Sequence, residues 1–333
     1  LKGRVLLTGA TGFLGGYMAT EMATRGTQTL AMARKSSDRS TLEELGLLVA
    51  EADLTDPASL LDATMGVETV IHLAAYYTLH GKHELYEKIT VEGTRNLLEA
   101  CIRNSVRRFI YCSSTEVIGP VEHPPGNEDS PQNPQFEYGR SKAKAEALVR
   151  EYAAKGLDYT IMRPSGLYGP GNIDDVAFWF ITAFAKNSLP TRFIVGSGQA
   201  LIQFTHVKDA VQAFMLALEK PDAASRQTYI IADKRGHSYS EVYKTLAEIC
   251  HRRPPRMHVP PVLAKAMIAP VEALNRIRGR ESFMWHLSTV DTVTQDRYYS
   301  VDKAARELGF NPQYDLKTGL SETMTWYRAN GYL

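Results

Sequence analysis

Residues 8–15 read Thr-Gly-Ala-Thr-Gly-Phe-Leu-Gly and follow the apolar stretch Val5-Leu6-Leu7 directly. That order is a strand, a glycine turn and the start of a helix. Each glycine has its own physical reason: Gly9 permits the tight turn, Gly12 has no Cβ to hold a ligand away, and Gly15 lets the helix approach the strand closely. Unpaired amides at the new helix's N-terminus then face an anion. The run, with Thr11, Phe13 and Leu14 in the same turn, reads as a cradle for a dinucleotide pyrophosphate. Three spaced glycines alone also describe a plain turn; the position after a strand is what points to binding.

The sequence has 333 residues, which suggests two domains, and its 44% hydrophobic share is ample for two cores. Formal net charge is +1 with the charges scattered, so no basic stripe argues for nucleic acid. Cys101, Cys112 and Cys250 are odd in number and widely spaced, as expected of reduced, packed thiols in a cytoplasmic protein. No His, Cys or carboxylate cluster has metal-ligand spacing, so no metal is expected. With a strand pattern from its first residues and no charged leader before an apolar run, no export signal is expected. The longest apolar run, residues 176–185, is well short of the ~20 residues of a membrane span.

Up to about residue 165, short β-type runs alternate with helical stretches, the pattern of a parallel sheet covered on both faces. Six strands are expected, at residues 4–7, 28–33, 47–50, 69–73, 108–112 and 159–163, with helices over 14–25, 86–104 and 138–155. Asp56-Pro57 is a further helix start. The expectation is a Rossmann-type doubly wound parallel sheet over residues 1–170, with 201–232 returning to it and residues 229–232 forming a further short strand. A smaller C-terminal substrate-binding domain is expected over 171–333.

Tyr138-Gly139-Arg140-Ser141-Lys142 opens a helix, and a spacing of four places phenol and ammonium on one face. A phenol with a pKa near ~10 exchanges protons poorly at neutral pH, and a cation such as Lys142 lowers it. The same spacing also occurs in ordinary surface pairs. Residues 109–115 end an apolar strand with Ser113, Ser114 and Thr115 at the edge where open α/β sheets place ligands. Serines there also cap helices.

Together these segments resemble the extended branch of the short-chain dehydrogenase/reductase superfamily, which holds epimerases, dehydratases and 3β-hydroxysteroid-dehydrogenase-like enzymes. The resemblance covers residues 8–15, 53–54, 72–75, 91–96, 113–119, 138–142, 163–171, 204–209 and 308–312. It implies Tyr138 as general acid/base, Lys142 on the nicotinamide ribose and Ser114 on the substrate oxygen. It further implies Asp53 and Leu54 at the adenine, Ala74 and Ala75 at the phosphate–ribose region, Pro164 by the carboxamide, and a homodimer through residues 92–104 and 138–155. Thr90 stands where the family usually has Asn. His72 reads as a buried structural histidine.

NAD-selective folds place an acidic residue at the end of the second strand. Here Ala33 takes that position, followed by Arg34 and Lys35; these, with Arg39, suit a 2′-phosphate or form a solvated basic loop. NADP(H) is therefore favoured, with NAD(H) the alternative. Three functions are compared: an oxidoreductase of a secondary alcohol or ketone on a sterol-like scaffold, a nucleotide-sugar epimerase or dehydratase, and a non-catalytic dinucleotide sensor. A sensor can dispense with Ser114, Tyr138 and Lys142, which are all present. Nucleotide-sugar members of the family usually have Asn where Gly166 stands and Arg where Leu201-Ile202-Gln203 stands. A diphosphate buried without charged partners is costly, so the apolar small-molecule substrate is favoured. The aromatic run 176–181 lines a pocket or forms core. Residues 258–280 are apolar on one side, through Val262, Leu263, Ala266, Met267, Val271 and Leu274, and end in Arg276, Arg278 and Arg280. That pattern fits a packed helix, a lid or a peripheral membrane patch, and Pro260, Pro261 and Pro270 are expected to interrupt it.

Overall fold

Val5–Thr8 is buried at every position, as a strand must be when helices cover both faces of its sheet. This strand, β1, is an interior strand of a seven-stranded parallel sheet. The computed structural model describes residues 3–78, 81–173, 175–278 and 285–333. The other strands are β2 (Thr29–Ala33), β3 (Leu48–Glu51), β4 (Thr69–His72), β5 (Arg108–Cys112), β6 (Asp158–Pro164) and β7 (Gln227–Ile231), in the spatial order β7-β6-β5-β4-β1-β2-β3. Strand order reverses between β1 and β4, and there doubly wound sheets bind ligands at the carboxyl ends of the strands.

The expected count of six strands in the sheet is corrected to seven by the further short strand. Residues 227–231 add to the outer edge of β6, pairing from Gln227 with Thr160 to Ile231 with Pro164. Helix α1 (Phe13–Thr24) covers one face of the sheet, and α2 (Gly93–Arg103) and α3 (Glu137–Ala153) cover the other. Helix α4 (Val207–Glu219) packs beside α1, burying Phe214 and Met215 in the same core as Leu7 and Ile110. Asp56 caps its short helix by accepting from the Ala58 amide at 3.1 Å, with Pro57 in the first turn.

The expected helix over 86–104 is not one α-helix. Tyr86–Glu92 is a π-helical stretch and regular α geometry begins at Gly93; such wide turns often mark functional sites. Thr90 lies inside it and accepts from the Tyr76 amide at 3.1 Å. A third apolar core holds Tyr168, Phe178, Ile181, Leu246, Leu320 and Tyr327. The aromatic run therefore contributes mainly to packing, with only Trp179 half exposed.

The interruption expected at Pro270 is corrected, while Pro260 and Pro261 do mark where the helix begins. Helix α5 runs from Pro261 to Ile277, with Pro261 in its first turn and Pro270 inside it. It packs on α6 (Leu287–Thr294). Arg280 and the Arg276 side chain lie outside what is described. Among the described residues, no helix is long and apolar enough to cross a membrane and no cluster has metal-ligand geometry. Cys101 and Cys112 are buried, Cys250 is partly so, and all three are free.

Candidate active site

The glycine turn fits a dinucleotide by what it leaves no room for. Gly9 has φ +71°, and a Cβ there would lie 2.8 Å from the Ala74 amide nitrogen; one on Gly15 would lie 1.9 Å from the Gly9 carbonyl oxygen. A Cβ on Gly12 would meet only the Gly9 oxygen, at 3.3 Å. Gly12 begins α1, whose first turn has no side-chain cap, so its leading amides are open to an anion. Thr11 and Gly12 are exposed, Phe13 is half-buried and Leu14 is in the core.

Around this turn lie the other expected cofactor positions. Thr8 Oγ1, at the end of β1, accepts from the Ala74 amide at 3.3 Å and bonds His72 Nδ1 at 2.7 Å. Ala75 follows, half-buried. His72 Nε2 meets Thr94 Oγ1 at 3.1 Å. Burial, helped by Lys142, lowers the His72 pKa to about 3, so the imidazole is a neutral structural link between β1, β4 and α2.

Asp53 accepts from the Thr55 amide and hydroxyl at 2.8 and 2.7 Å. The amide bond chiefly holds its carboxyl below the usual range. Leu54 is buried and would clash with any Cβ on Gly93, at 2.8 Å. Arg34 and Lys35 are exposed at the end of β2. Arg39 is already bonded to Glu51 at 2.7 Å. Pro164 is buried at the end of β6.

Strand β5 and helix α3 bring Ser114, Tyr138 and Lys142 to the same end of the sheet. Ser114 begins the short turn after β5, and its hydroxyl accepts from the Glu116 amide at 3.1 Å. Gly139 is needed because a Cβ would lie 2.5 Å from the Glu116 carbonyl oxygen, so α3 starts hard against that turn. Lys142 is 1% exposed and donates to the Cys112 carbonyl at 2.7 Å. Its Nζ lies 5.7 Å from the Tyr138 ring centre.

The electrostatics differ from the expectation that Lys142 lowers the Tyr138 phenol. Burial raises the phenol well above its ordinary range, Cys112 and Glu116 raise it further, and the hydrogen bond with Ser114 opposes them. The same burial lowers the Lys142 ammonium. Burial therefore favours the protonated phenol, the form that donates a proton. Beneath it, Arg163 makes a two-pronged bond to Glu146, at 2.8 Å on each side, and Ser113 donates to the same carboxylate at 2.6 Å. This buried network fixes α3 on β6.

Two neighbours were not visible in sequence. Arg297, 5% exposed as a side chain, donates to Glu116 at 2.7 Å and lies over the Phe136 ring. It arrives through a bridge to Ile202 and an amide bond to the Leu201 carbonyl, beside the stretch where an arginine was expected and not found. Gln203 is spent on backbone, donating to the Asp233 carbonyl and accepting from the Tyr299 amide. Arg297 is about 180 residues distant from Glu116 in the chain, with no local motif to announce it.

Comparison with known proteins agrees with this geometry. The profile of the NAD dependent epimerase/dehydratase family matches residues 5–232. The chain is similar to sterol demethylase protein B of Methylococcus capsulatus, at 28% identity covering 98% of this chain and 99% of that one. It is equally similar, at 28% identity, to the 3 beta-hydroxysteroid dehydrogenase/Delta 5→4-isomerase of Mycobacterium tuberculosis, over 98% and 90% of the two chains. Among solved structures, MoeE5 in complex with UDP-glucuronic acid and NAD superposes with a TM-score of 0.75 at 27% identity, over 98% and 100% of the chains.

Proposed function

The chain belongs to the NAD dependent epimerase/dehydratase family, within the extended short-chain dehydrogenases/reductases, and on that premise we propose that it interconverts a secondary alcohol and a ketone on a largely apolar, sterol-like substrate. The observation that carries this reading is how the polar groups near the site are spent. Arg297 stands where a substrate diphosphate would need a cation, but Glu116 already answers its charge. Gln203 is consumed by backbone, and position 166 is glycine. A dianionic diphosphate placed there would lack partners, which is costly in a buried site. Two relatives named for sterol and steroid chemistry support the same choice.

The enzyme uses a nicotinamide dinucleotide. Gly9, Thr11, Gly12, Phe13, Leu14 and Gly15 would hold its pyrophosphate, Asp53 and Leu54 its adenine, Ala74, Ala75 and Pro164 its inner ribose and carboxamide flank. When bound, the nicotinamide accepts or supplies the hydride. Arg34, exposed next to Ala33 where NAD-selective folds carry a carboxylate, supports NADP(H) over NAD(H), and Lys35 adds to the same charge. Lys142 would bond the nicotinamide ribose.

Tyr138 passes its phenolic proton to the substrate oxygen as a ketone is reduced and takes one back as an alcohol is oxidised. Ser114 holds that oxygen by hydrogen bonding. Lys142, buried and undiluted by water, supports the phenolate whenever the proton has left. Pairing of two copies through α2 and α3 is part of the same reading.

A thermal-shift screen tests the substrate class, because stabilisation follows affinity. The protein is paired with NAD(H) or NADP(H) and then with steroids, other apolar ketones or nucleotide sugars. Added stabilisation by steroids or apolar ketones is expected. Micromolar binding of uridine or thymidine diphosphate without any response to apolar ketones would replace this reading by the epimerase one.

A further inference from the structure

Helix α5 is apolar on its outward side as well as on its inward one. A surface helix normally turns its apolar stripe to the core, yet here Val262 is 82% exposed, Ile277 is 83%, and Leu263, Met267 and Leu274 are each about half exposed. These positions recur at helical spacing along one side. The inward side is apolar as well, at buried Ala264 and part-buried Ile268 and Val271, with polar groups at its flanks. Lys265 pairs with Asp291 at 2.6 Å and Glu272 accepts from the Leu287 amide at 2.7 Å. The strand before the helix continues the pattern with Met257, 65% exposed. A contiguous apolar surface of this kind marks an interaction site.

Charge decides the partner. Residues 251–278 contain Arg252, Arg253, Arg256, Lys265, Arg276 and Arg278 against Glu272 alone, in a chain whose net charge is only +1. Lys265 and Glu272 are engaged by partners on α6 and just before it, while Arg252, Arg253, Arg256 and Arg278 are exposed. Among the described residues no carboxylate pairs with these four. An apolar face with a cationic border is complementary to an anionic bilayer, in which the helix lies along the interface. A second copy related by a twofold axis would instead bring like charges together.

We propose that the outward face of α5 rests on an anionic lipid surface and that the enzyme meets its apolar substrate there. The helix packs on α6, which reaches the site: the Thr292 carbonyl accepts from Tyr239, and the chain then continues to Arg297. Only the purpose of the contact rests on the sterol-like reading; the contact itself is measured without turnover.

The test is co-sedimentation of the full chain with vesicles of phosphatidylcholine alone or with phosphatidylglycerol added, at low and high salt. Wild type is expected to sediment with the anionic vesicles and to be partly released by salt. Val262→Glu combined with Ile277→Glu, both at exposed positions, should lower partitioning at least about tenfold. Arg278→Glu should weaken anionic binding by a similar factor and leave any weak phosphatidylcholine binding unchanged. Cofactor binding and melting temperature should stay as in wild type, which separates lost docking from lost folding. Wild type remaining in the supernatant with both vesicle types overturns the proposal. So does a dimer, seen by ultracentrifugation, that the double variant dissociates without any vesicle binding. Vesicle binding without turnover of any apolar ketone would instead remove the proposed function and leave this surface standing.

Discussion

Arg297 donates to Glu116 at 2.7 Å, and this pair joins the C-terminal part of the chain to the turn that carries Ser114. Phe136 lies under the guanidinium and Gly139 against the Glu116 backbone, so the pair sits directly beside Tyr138. The Glu116 charge has two consequences: it cancels the cation that a diphosphate would need, and it helps hold the Tyr138 proton.

Glu116→Gln removes one of the charges that, after burial and Cys112, keep the Tyr138 phenol protonated. The folded-state phenol then ionises more easily. Alcohol oxidation, which needs the phenolate, should rise at lower pH than in wild type, and ketone reduction, which needs the phenol, should begin to fall at lower pH. Rate profiles in both directions check this; unchanged profiles would show that Glu116 does not act on Tyr138.

Arg34→Ala should weaken NADPH binding by about 1.5–3 kcal/mol, the range of a charge-assisted hydrogen bond, and leave NADH binding little altered. Fluorescence titration of both cofactors measures it. Equal losses would mean that Arg34 does not read the 2′-phosphate.

Gly15→Ala should weaken both cofactors together. Its Cβ would fall 1.9 Å from a backbone oxygen of the turn, and backbone cannot step aside as a flexible side chain can. The same titrations, read beside those of Arg34→Ala, separate damage to the cradle from loss of phosphate selectivity.

Glu146→Ala should destabilise the fold by about 3–5 kcal/mol, because it leaves Arg163 buried without its partner. Denaturant unfolding measures this. Burial acts to raise the Glu146 carboxyl, but the Arg163 bonds outweigh it and the net shift is downward. Its contribution is therefore complete above the unfolded value near ~4.3 and is lost as pH falls through the lower folded value. Glu146→Gln should lack that acid-side loss.

The glycine turn, the β5 edge and the Tyr138–Lys142 spacing were legible because each is a local pattern with a local cause. Gly15, for instance, is dictated by the approach of α1 to the Gly9 carbonyl, eight residues or fewer of chain. Strand β7 was partly legible as a short β run, but its place at the edge beside β6 depends on pairing across more than sixty residues of sequence. The Arg297–Glu116 pair was invisible for the same reason. The net direction of the Tyr138 phenol was illegible for a different one: spacing gives the proximity of Lys142, while burial is the largest influence on the phenol. Helix α5 misled at Pro270 alone, which lies inside a continuous helix, while Pro261 sits in the first turn, where a missing amide costs nothing.

Tyr138→Phe tests the central claim most directly, since it removes only the transferable proton. The measurement is the change in nicotinamide absorbance as the variant and wild type are given an apolar secondary alcohol or ketone, steroids first, with cofactor binding titrated in parallel. The account predicts net cofactor turnover by wild type, a loss on the order of 10²-fold or more in the variant, and cofactor binding retained in both. A near-normal rate in Tyr138→Phe would contradict it.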